Sequence, residues 1–269
     1  MSFDLSAVEA GISATEFAGR VKHFPSVGST NSLASEAAQA GARGGVWVAD
    51  EQIAGRGRGG HGWHSSAGDG LYVSALIAPP LPMTTALQIS LATGLAAQAA
   101  IREVTALDVD IRWPNDLLID ARKCGGILVE TAAAPVDRDQ AAMLRYAVIG
   151  IGINLNHSKF PEEIARLATS LRLERGREVS REDLLAALLR RLDEEIRLLI
   201  RDCRGTNNGR GLLERFTEAS SWVKGKRVRV EESGGYTGVT VGLDDHGFLL
   251  VDANDGIRRT VLSGGVREI

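Results

Sequence analysis

The sequence lacks several features on which whole classes of protein depend. Its 269 residues include only two cysteines, Cys124 and Cys203, too few for a disulfide framework or a structural zinc site. The net charge of −3 offers no overall basic excess for nucleic acid, so any anion site must be local. No apolar run approaches the ~18 residues of a membrane span, and the N-terminus has no basic segment followed by an apolar one. We therefore expect a soluble, cytoplasmic protein.

The patterns that are present predict two units of different structure. Helices are predicted over 13–22, 29–41, 84–103 and 180–202, with Gly41 in a left-handed conformation after the second and Ser180 as the cap of the last. Strands are predicted over 46–52, 71–78, 125–133 and 145–156, with a strand–turn–strand segment over 108–120. From Trp222 the chain contains only short strands separated by glycine-containing turns, which is typical of a small barrel. We predict an α/β domain over 1–221 and a β-barrel over 222–269.

One loop is unusually rich in glycine. AGRGRGGHGWHSSAGDG, residues 54–70, contains seven glycines and two arginines. It spells G-x-G-x-x-G, but no helix follows directly, as a dinucleotide-binding turn requires, and the Walker A pattern is absent. Its backbone N–H groups and the guanidiniums of Arg56 and Arg58 are suited to enclosing a carboxylate or phosphate. A purely structural or disordered loop is the alternative, and Trp63 either lies over a planar ligand or packs in the core.

Three further segments carry polar residues with two interpretations each. In RWPND, Asn115 and Asp116 either stabilise a turn or order the loop and hold Mg²⁺. Lys123, at the entry to an apolar strand, is either an ordinary exposed lysine or aimed at an anion. Asn154, in GIGINLN, either reads a base or sugar or pairs with the backbone.

Two reactive residue types point to no site of their own. Cys124 has no evident histidine partner and is interpreted as a small buried side chain rather than a nucleophile. His61 and His64 have no third ligand near them in sequence, so a metal site there is disfavoured.

Taken in order, the motifs resemble the biotin protein ligase family. The resemblance rests on S-T-N (29–31), E-Q-x-A-G-R-G-R-x-G (51–60), G-W (62–63), R-W-P-N-D (112–116), R-K-x-x-G-I-L-V-E (122–130) and G-I-G-I-N-L-N (150–156). It implies an α+β fold: a mixed-sheet catalytic domain like the class II synthetases, followed by a small SH3-like barrel. It also implies a two-step reaction, in which biotin and ATP with Mg²⁺ give biotinyl-5′-AMP, and a lysine of a biotin carboxyl carrier protein then displaces AMP.

The resemblance assigns roles to residues at matching positions. Lys123 and Arg58 would stabilise the charge that develops during the reaction, and Asp116 would help to place Mg²⁺. The residues implied to bind biotin are Ser29, Thr30, Asn31, Gln52, Arg56, Gly57, Arg58, Lys123 and Gly126. The residues implied to bind the nucleotide are Arg56, Arg58, Trp63, Asn115 and Asn154.

One part of some family members has no counterpart here. Only 28 residues precede Ser29, too few for the helix-turn-helix domain that makes some members repressors, so we expect no DNA binding and no membrane partner. A monomer and a homodimer both remain open. A lipoate–protein ligase would lack the G-R-G-R-x-G loop, and a non-catalytic adaptor would leave Lys123 and the two loop arginines without a role.

Overall fold

Two sheets and the helices packed against them make up the computed structural model, which describes residues 3–135, 141–232, 234–263 and 265–269. The helices are α1 (Leu5–Gly11), α2 (Thr30–Gln39), α3 (Ala86–Thr105), α4 (Leu171–Arg175), α5 (Arg181–Cys203) and α6 (Leu212–Ala219). The strands of the larger sheet are β1 (Val21–Phe24), β2 (Gly45–Ala49), β3 (Gly70–Ile77), β4 (Asp110–Arg112), β5 (Asp116–Ile119), β6 (Arg122–Ala133) and β7 (Leu144–Asn154). The strands of the smaller sheet are β8 (Lys224–Val230), β9 (Tyr236–Leu243), β10 (Leu249–Ala253), β11 (Arg258–Val261) and β12 (Val266–Glu268).

The larger sheet is mixed, in the order β1-β2-β3-β7-β6-β5-β4. Strands β1 and β2 pair in parallel, and every other neighbouring pair in this sheet is antiparallel. The predicted α+β class with a mixed sheet is therefore confirmed. Strands β3, β7 and β6 lie at the centre, so side chains from three distant parts of the chain meet on each face.

The two faces of this sheet differ because side chains alternate along a strand. On one face Val73, Ile149 and Ile151 join the main core with residues of α3 and α5. On the other face Leu76 and Val148 pack under α2 with Trp47 in a smaller cluster. Next to that cluster the strands carry glycines instead of large side chains, which leaves a concave surface open.

Local signals in the sequence explain several boundaries. The hydroxyl of Ser180 accepts a hydrogen bond from the Asp183 N–H at 3.1 Å, so α5 begins at the predicted cap. Gly41 follows the end of α2 with φ +101°, the left-handed conformation that glycine adopts without steric cost. Both predictions are confirmed.

The helix predicted over 13–22 is wrong. The Asp4 carboxylate accepts hydrogen bonds from the N–H groups of Ser6 and Ala7, at 3.0 and 3.1 Å, and starts α1 earlier in the chain. After α1 the backbone turns, with Gly19 at φ +70°, and then enters β1. The signal that the sequence interpretation missed is the capping residue Asp4. The helix that begins after it ends at its C-cap, Ile12.

The smaller sheet is antiparallel, in the order β11-β10-β9-β8-β12, and forms the predicted C-terminal β-unit. It meets the larger unit through an indole: Trp113 Nε1 donates to the Gly247 carbonyl at 2.9 Å. The domain division between residues 221 and 222 stays our proposal. Within the described residues, no helix has the length and hydropathy to cross a bilayer.

Candidate active site

A cavity opens on the glycine-bearing face of the larger sheet. Its floor comes from the register, because Gly126 of β6 lies opposite Gly152 of β7, and Leu128 lies opposite Gly150. Glycine inside a strand marks a close approach by another group. The lining residues are Ser29, Thr30, Asn31, Gln52, Arg56, Gly57, Arg58, Trp63, Val73, Asn115, Lys123, Gly126, Ile127, Leu128, Gly150, Ile151 and Gly152.

Gly150 makes room for a buried amide. A β-carbon at this position would lie 2.2 Å from Asn31 Oδ1, and Asn31 is only 4% exposed. We expect Gly150→Ala to lower the free energy of unfolding by roughly 1–3 kcal/mol, the usual cost of overpacking. Urea unfolding would measure this. Gly28→Ala is the control, because a β-carbon there meets nothing within 4 Å, and an equal loss in both variants would contradict the steric explanation.

A continuous chain of polar contacts runs along one wall of the cavity. Gln52 Oε1 accepts from the backbone N–H of Thr30 at 2.9 Å and from its hydroxyl at 3.1 Å, while Gln52 Nε2 donates to Ser65 Oγ at 3.1 Å. Ser74 Oγ lies 2.8 Å from Thr30 Oγ1 and 2.5 Å from Asn31 Oδ1. These bonds hold several donors and acceptors in fixed positions beside α2, as recognition of a polar ligand requires.

Ser29 precedes α2 at its N-cap position and is almost fully buried, at 5% exposure. Its side chain makes no capping hydrogen bond. The hydroxyl therefore lines the cavity beside the first N–H groups of α2, where the helix end favours a partial negative charge.

The glycine-rich loop forms a lid over the cavity. We use "lid" for residues 55–63, which fold back on themselves through the Arg56–Gly62 bridge and a hydrogen bond from the Trp63 N–H to the Gly55 carbonyl at 2.9 Å. Within the lid, Arg58–Gly60 make one turn of 3₁₀ helix with Gly59 at φ +64°. Glycine permits this left-handed step.

The two lid arginines reach different elements. Arg56 donates to Glu130 Oε2 on β6 at 3.1 Å, and Arg58 donates to Asn115 Oδ1 at 3.2 Å. Asn115 in turn donates to the Ile127 carbonyl at 2.8 Å, so its amide is fixed from both ends. Burial lowers the pKa of Arg58, and the carboxylates of Asp116 and Glu232 oppose the shift. A half-buried guanidinium in this position is a ready partner for an anion.

Lys123 lies on β6, directly after a tight turn. Asp120 and Ala121 in this turn both have positive φ. Its ammonium is 2.6 Å from Asp116 Oδ1 and lies over the Trp63 ring, 5.2 Å from the centroid. Burial alone would raise the pKa of Asp116, but Lys123 and Arg112 outweigh burial and hold that pKa below its usual value. The carboxylate therefore stays charged and orients the lysine.

Trp63 lies inside the cavity rather than in the core. A β-carbon on Gly152 would be 2.5 Å from its Nε1, and one on Gly126 would be 3.1 Å from its Cζ3, so the indole rests against the glycine floor. Its buried Nε1 has no hydrogen-bond partner in the described part of the chain. An unsatisfied buried N–H is costly, and a ligand acceptor or a shift of the ring would relieve it.

The residues do not fit the predicted magnesium site. Asp116 uses Oδ1 for Lys123 and Oδ2 for Arg112, whose Nε lies 3.2 Å away. A divalent cation would have to displace one of these two charges. Across the described ranges no group of three His, Cys, Asp or Glu side chains is placed to hold a metal.

Two other residues lie outside the cavity. Asn154 donates to the carbonyls of Lys123 and Thr169, at 3.2 and 3.0 Å, so the amide fixes the backbone beneath Lys123. Its amide nitrogen is engaged in these bonds and it does not line the cavity, and its contact with a nucleotide stays a prediction. Cys124 is fully buried and burial raises the pKa of its thiol to about 12, which agrees with an inert core role.

Sequence reasoning missed several contributors to the site, among them two glycines, a serine and a glutamate. Gly150 and Gly152 stand in a quoted motif, but their place opposite β6 depends on strand pairing. Ser74 was readable as a hydroxyl inside an otherwise apolar strand, GLYVSALI. Glu130 closes the motif over 122–130, and its contact with Arg56 spans 74 residues of sequence.

His157 lies next to His64, the residue that follows the lid, and its surroundings are unusual for a buried histidine. It is 1% exposed, stacks on Phe160 at 5.0 Å between ring centroids, and lies 5.8 Å from the His64 ring. Neither ring nitrogen has a partner among the described residues. Burial lowers the pKa of His157, and His64 adds to the shift while Asp69 opposes it.

We expect stability to fall as the pH drops below about 6.5. In this range the unfolded chain binds a proton at residue 157 that the folded chain does not, and the loss continues until the pH reaches the folded-state pKa. Urea unfolding at about pH 8 and about pH 5.5 measures the change. His157→Phe keeps the stacking and removes the titration, so an unchanged pH dependence in this variant would exclude His157 as the source.

Comparisons with known sequences identify two family segments. The profile of the Biotin/lipoate A/B protein ligase family matches residues 24–154, and that of the biotin protein ligase C-terminal domain matches 224–266. The biotin–[acetyl-CoA-carboxylase] ligase of Mycobacterium tuberculosis is 34% identical over 247 residues, which are 88% of this chain and 84% of the relative. The bifunctional ligase/repressor BirA of Bacillus subtilis is 33% identical over 235 residues, 86% of this chain and 69% of the relative.

Solved structures show the same fold. The biotin protein ligase of Aquifex aeolicus in complex with biotin and ATP superposes with a TM-score of 0.75 at 28% identity, covering 93% of this chain and all of that one. Its similarity extends over both sheets. On the strength of the sequence identity and the coverage, this chain belongs to the biotin protein ligase family and is an enzyme of the ligase class.

Proposed function

We propose that the protein attaches biotin to a lysine of a biotin carboxyl carrier protein, using ATP and passing through biotinyl-5′-AMP. The observation that carries the proposal is electrostatic. Arg56, Arg58 and Lys123 all line one cavity, and none of the described residues lining it is Asp or Glu. Such a cavity is suited to holding two anions side by side, which is the difficulty in activating a carboxylate with a nucleotide.

The first step would join these two anions. A biotin carboxylate oxygen attacks the α-phosphorus of ATP, the new P–O bond forms, and pyrophosphate leaves with the electron pair of the broken bond. Lys123, oriented by Asp116, and Arg58, held at Asn115, would stabilise the charge on the phosphate in the transition state. Both groups are in place beforehand, so little reorganisation is needed during the reaction.

The polar wall supports the assignment of the biotin head group. Ser29, Thr30, Asn31 and Gln52 line the cavity next to each other, and hydrogen bonds fix the last three. A ureido ring carries both N–H donors and a carbonyl acceptor, and these hydroxyls and amides supply both complements. Gly126 adds no side chain of its own to the cavity beside Trp63.

The lid would serve the nucleotide and exclude water. Trp63 offers an aromatic face for the adenine, and Asn115 lies beside Arg58 at the edge of the cavity. Gly57 lets the lid backbone come close to the phosphate. Shielding matters because the mixed anhydride would otherwise be hydrolysed.

Magnesium supplies charge neutralisation of the triphosphate when it is bound. Mg²⁺ is usually held by substrate phosphates with few protein ligands, so the proposal does not depend on Asp116. The role of Asp116 in this proposal is to hold Lys123.

The test is biotin-dependent exchange of labelled pyrophosphate into ATP in the presence of Mg²⁺. We expect exchange with biotin and none without it. Lipoate is the matched control substrate, because a lipoate–protein ligase would show the reverse preference. Transfer of labelled biotin to a carrier protein would then test the second step, and a chain without exchange with either acid would exclude the ligase function.

A further inference from the structure

A second cavity adjoins the first along the lid. The two cavities share Arg56, Gly57, Arg58 and Leu128, so the lid and β6 separate them. Of the described residues lining the two cavities, Glu130 is the one carboxylate. Its position beside so many cations calls for an explanation in terms of the substrates.

One oxygen of Glu130 is engaged and the other is available. Oε2 accepts from Asn31 Nδ2 at 2.8 Å and from Arg56 at 3.1 Å. Oε1 receives no hydrogen bond from the described residues, and the side chain is 36% exposed. Asp116, the other acid near the reacting groups, is 14% exposed and has both oxygens paired with cations.

Resting on the proposed function, we propose that Glu130 is the docking group for the ammonium of the acceptor lysine in the transfer step. A lysine amine is protonated at neutral pH, because its pKa is about 10.4. Arg56, Arg58 and Lys123 repel such a cation, and a carboxylate at the adjoining cavity compensates for that repulsion. Glu130 Oε1 accepts a hydrogen bond from the incoming ammonium. It then takes the first of the two protons that the nitrogen must lose and passes it to water.

In the transfer step the neutral amine nitrogen attacks the carbonyl carbon of biotinyl-5′-AMP and forms the C–N bond. The bond between that carbon and the phosphate oxygen breaks, and AMP leaves with the electron pair. The nitrogen gives its second proton to water, and an amide remains. No oxidant, reductant or further reactant is needed.

The experiment compares a charged and an uncharged nucleophile on the same intermediate. Enzyme is loaded with biotin, ATP and Mg²⁺, and single-turnover transfer is followed with the carrier protein and with hydroxylamine, which is uncharged at neutral pH. We expect Glu130→Gln to slow transfer to the carrier lysine about tenfold, the size of one hydrogen bond between charged groups, and to leave the hydroxylamine rate within about twofold. Glu130→Asp, which keeps the charge, should recover part of the lost rate.

The controls separate this role from a structural one. Glu36→Gln removes the same charge from an exposed position on α2 that lines neither cavity, and both rates should stay unchanged. Equal slowing of both nucleophiles by Glu130→Gln, or no slowing of either, would overturn the docking role while normal pyrophosphate exchange upholds the ligase. Loss of exchange in the wild-type protein would overturn the proposed function and the docking role together.

Discussion

Lys123→Met is expected to lower the rate of biotin-dependent pyrophosphate exchange by about 10²–10³-fold, the usual effect of removing one pre-positioned donor. Methionine keeps much of the length of the side chain but has no charge. The Asp116 carboxylate would then keep only Arg112 as a partner, and the cavity would lose the cation that lies over Trp63. Biotin affinity should change less than the chemical rate, since the ammonium acts mainly on charge that develops in the transition state.

Lys22→Met provides a matched control for this variant. Lys22 also lies over an indole, that of Trp47 at 5.6 Å, but it belongs to β1 and does not line the cavity. The rate of pyrophosphate exchange reports the effect on the chemical step, and calorimetry reports the effect on biotin affinity. A Lys123 variant with wild-type turnover would refute the role of Lys123 in the chemical step.

Arg58→Ala is expected to release biotinyl-5′-AMP roughly 10–100-fold faster, because a hydrogen bond to a charged group contributes about 1.5–3 kcal/mol. The side chain is half-buried at Asn115, so its loss also removes the contact that holds the lid there. Filter binding or gel filtration of preloaded enzyme measures the release.

Two variants identify the property of Arg58 that matters. Arg58→Lys keeps the charge without the planar fork. We expect its release rate to lie between those of the wild type and Arg58→Ala, because the lysine offers a point charge only. Arg102→Ala removes an exposed arginine of α3 whose side chain is 73% exposed, and release should match the wild type. If Arg58→Ala retains the adenylate as well as the wild type, the lid arginine does not hold it.

The sequence was most informative where a local rule decides the structure. The cap at Ser180, the left-handed Gly41 and the strand-rich C-terminal unit follow from neighbouring residues alone, and each was predicted correctly. The grouping of Arg58, Trp63 and Lys123 was predicted from a family resemblance, and the three residues do line one cavity. Their functional roles stay predictions.

Long-range pairing explains what local patterns did not provide. The floor of the cavity depends on the pairing of Gly126 on β6 with Gly152 on the neighbouring strand β7. The polar wall depends on Ser74 lying next to Thr30. Asp116 was interpreted as a magnesium ligand because the cations that neutralise it were not visible as its neighbours. Which of the two interpretations of Asn154 holds could not be predicted, because the backbone carbonyls that it pairs with carry no sequence signature.

Side chains alternate along β7, so residues that pack in the core and residues that face the cavity follow one another in the sequence. Ile149, Ile151 and Ile153 belong to the core shared with α3 and α5, whereas Gly150 and Gly152 face the cavity. A survey of substitutions over residues 149–153 should therefore show loss of abundance at the isoleucines, and at Gly150 and Gly152 effects on substrate handling in addition to any loss of stability. Mutations that alter which acid is accepted can then accumulate on one face without depleting the core on which the fold depends.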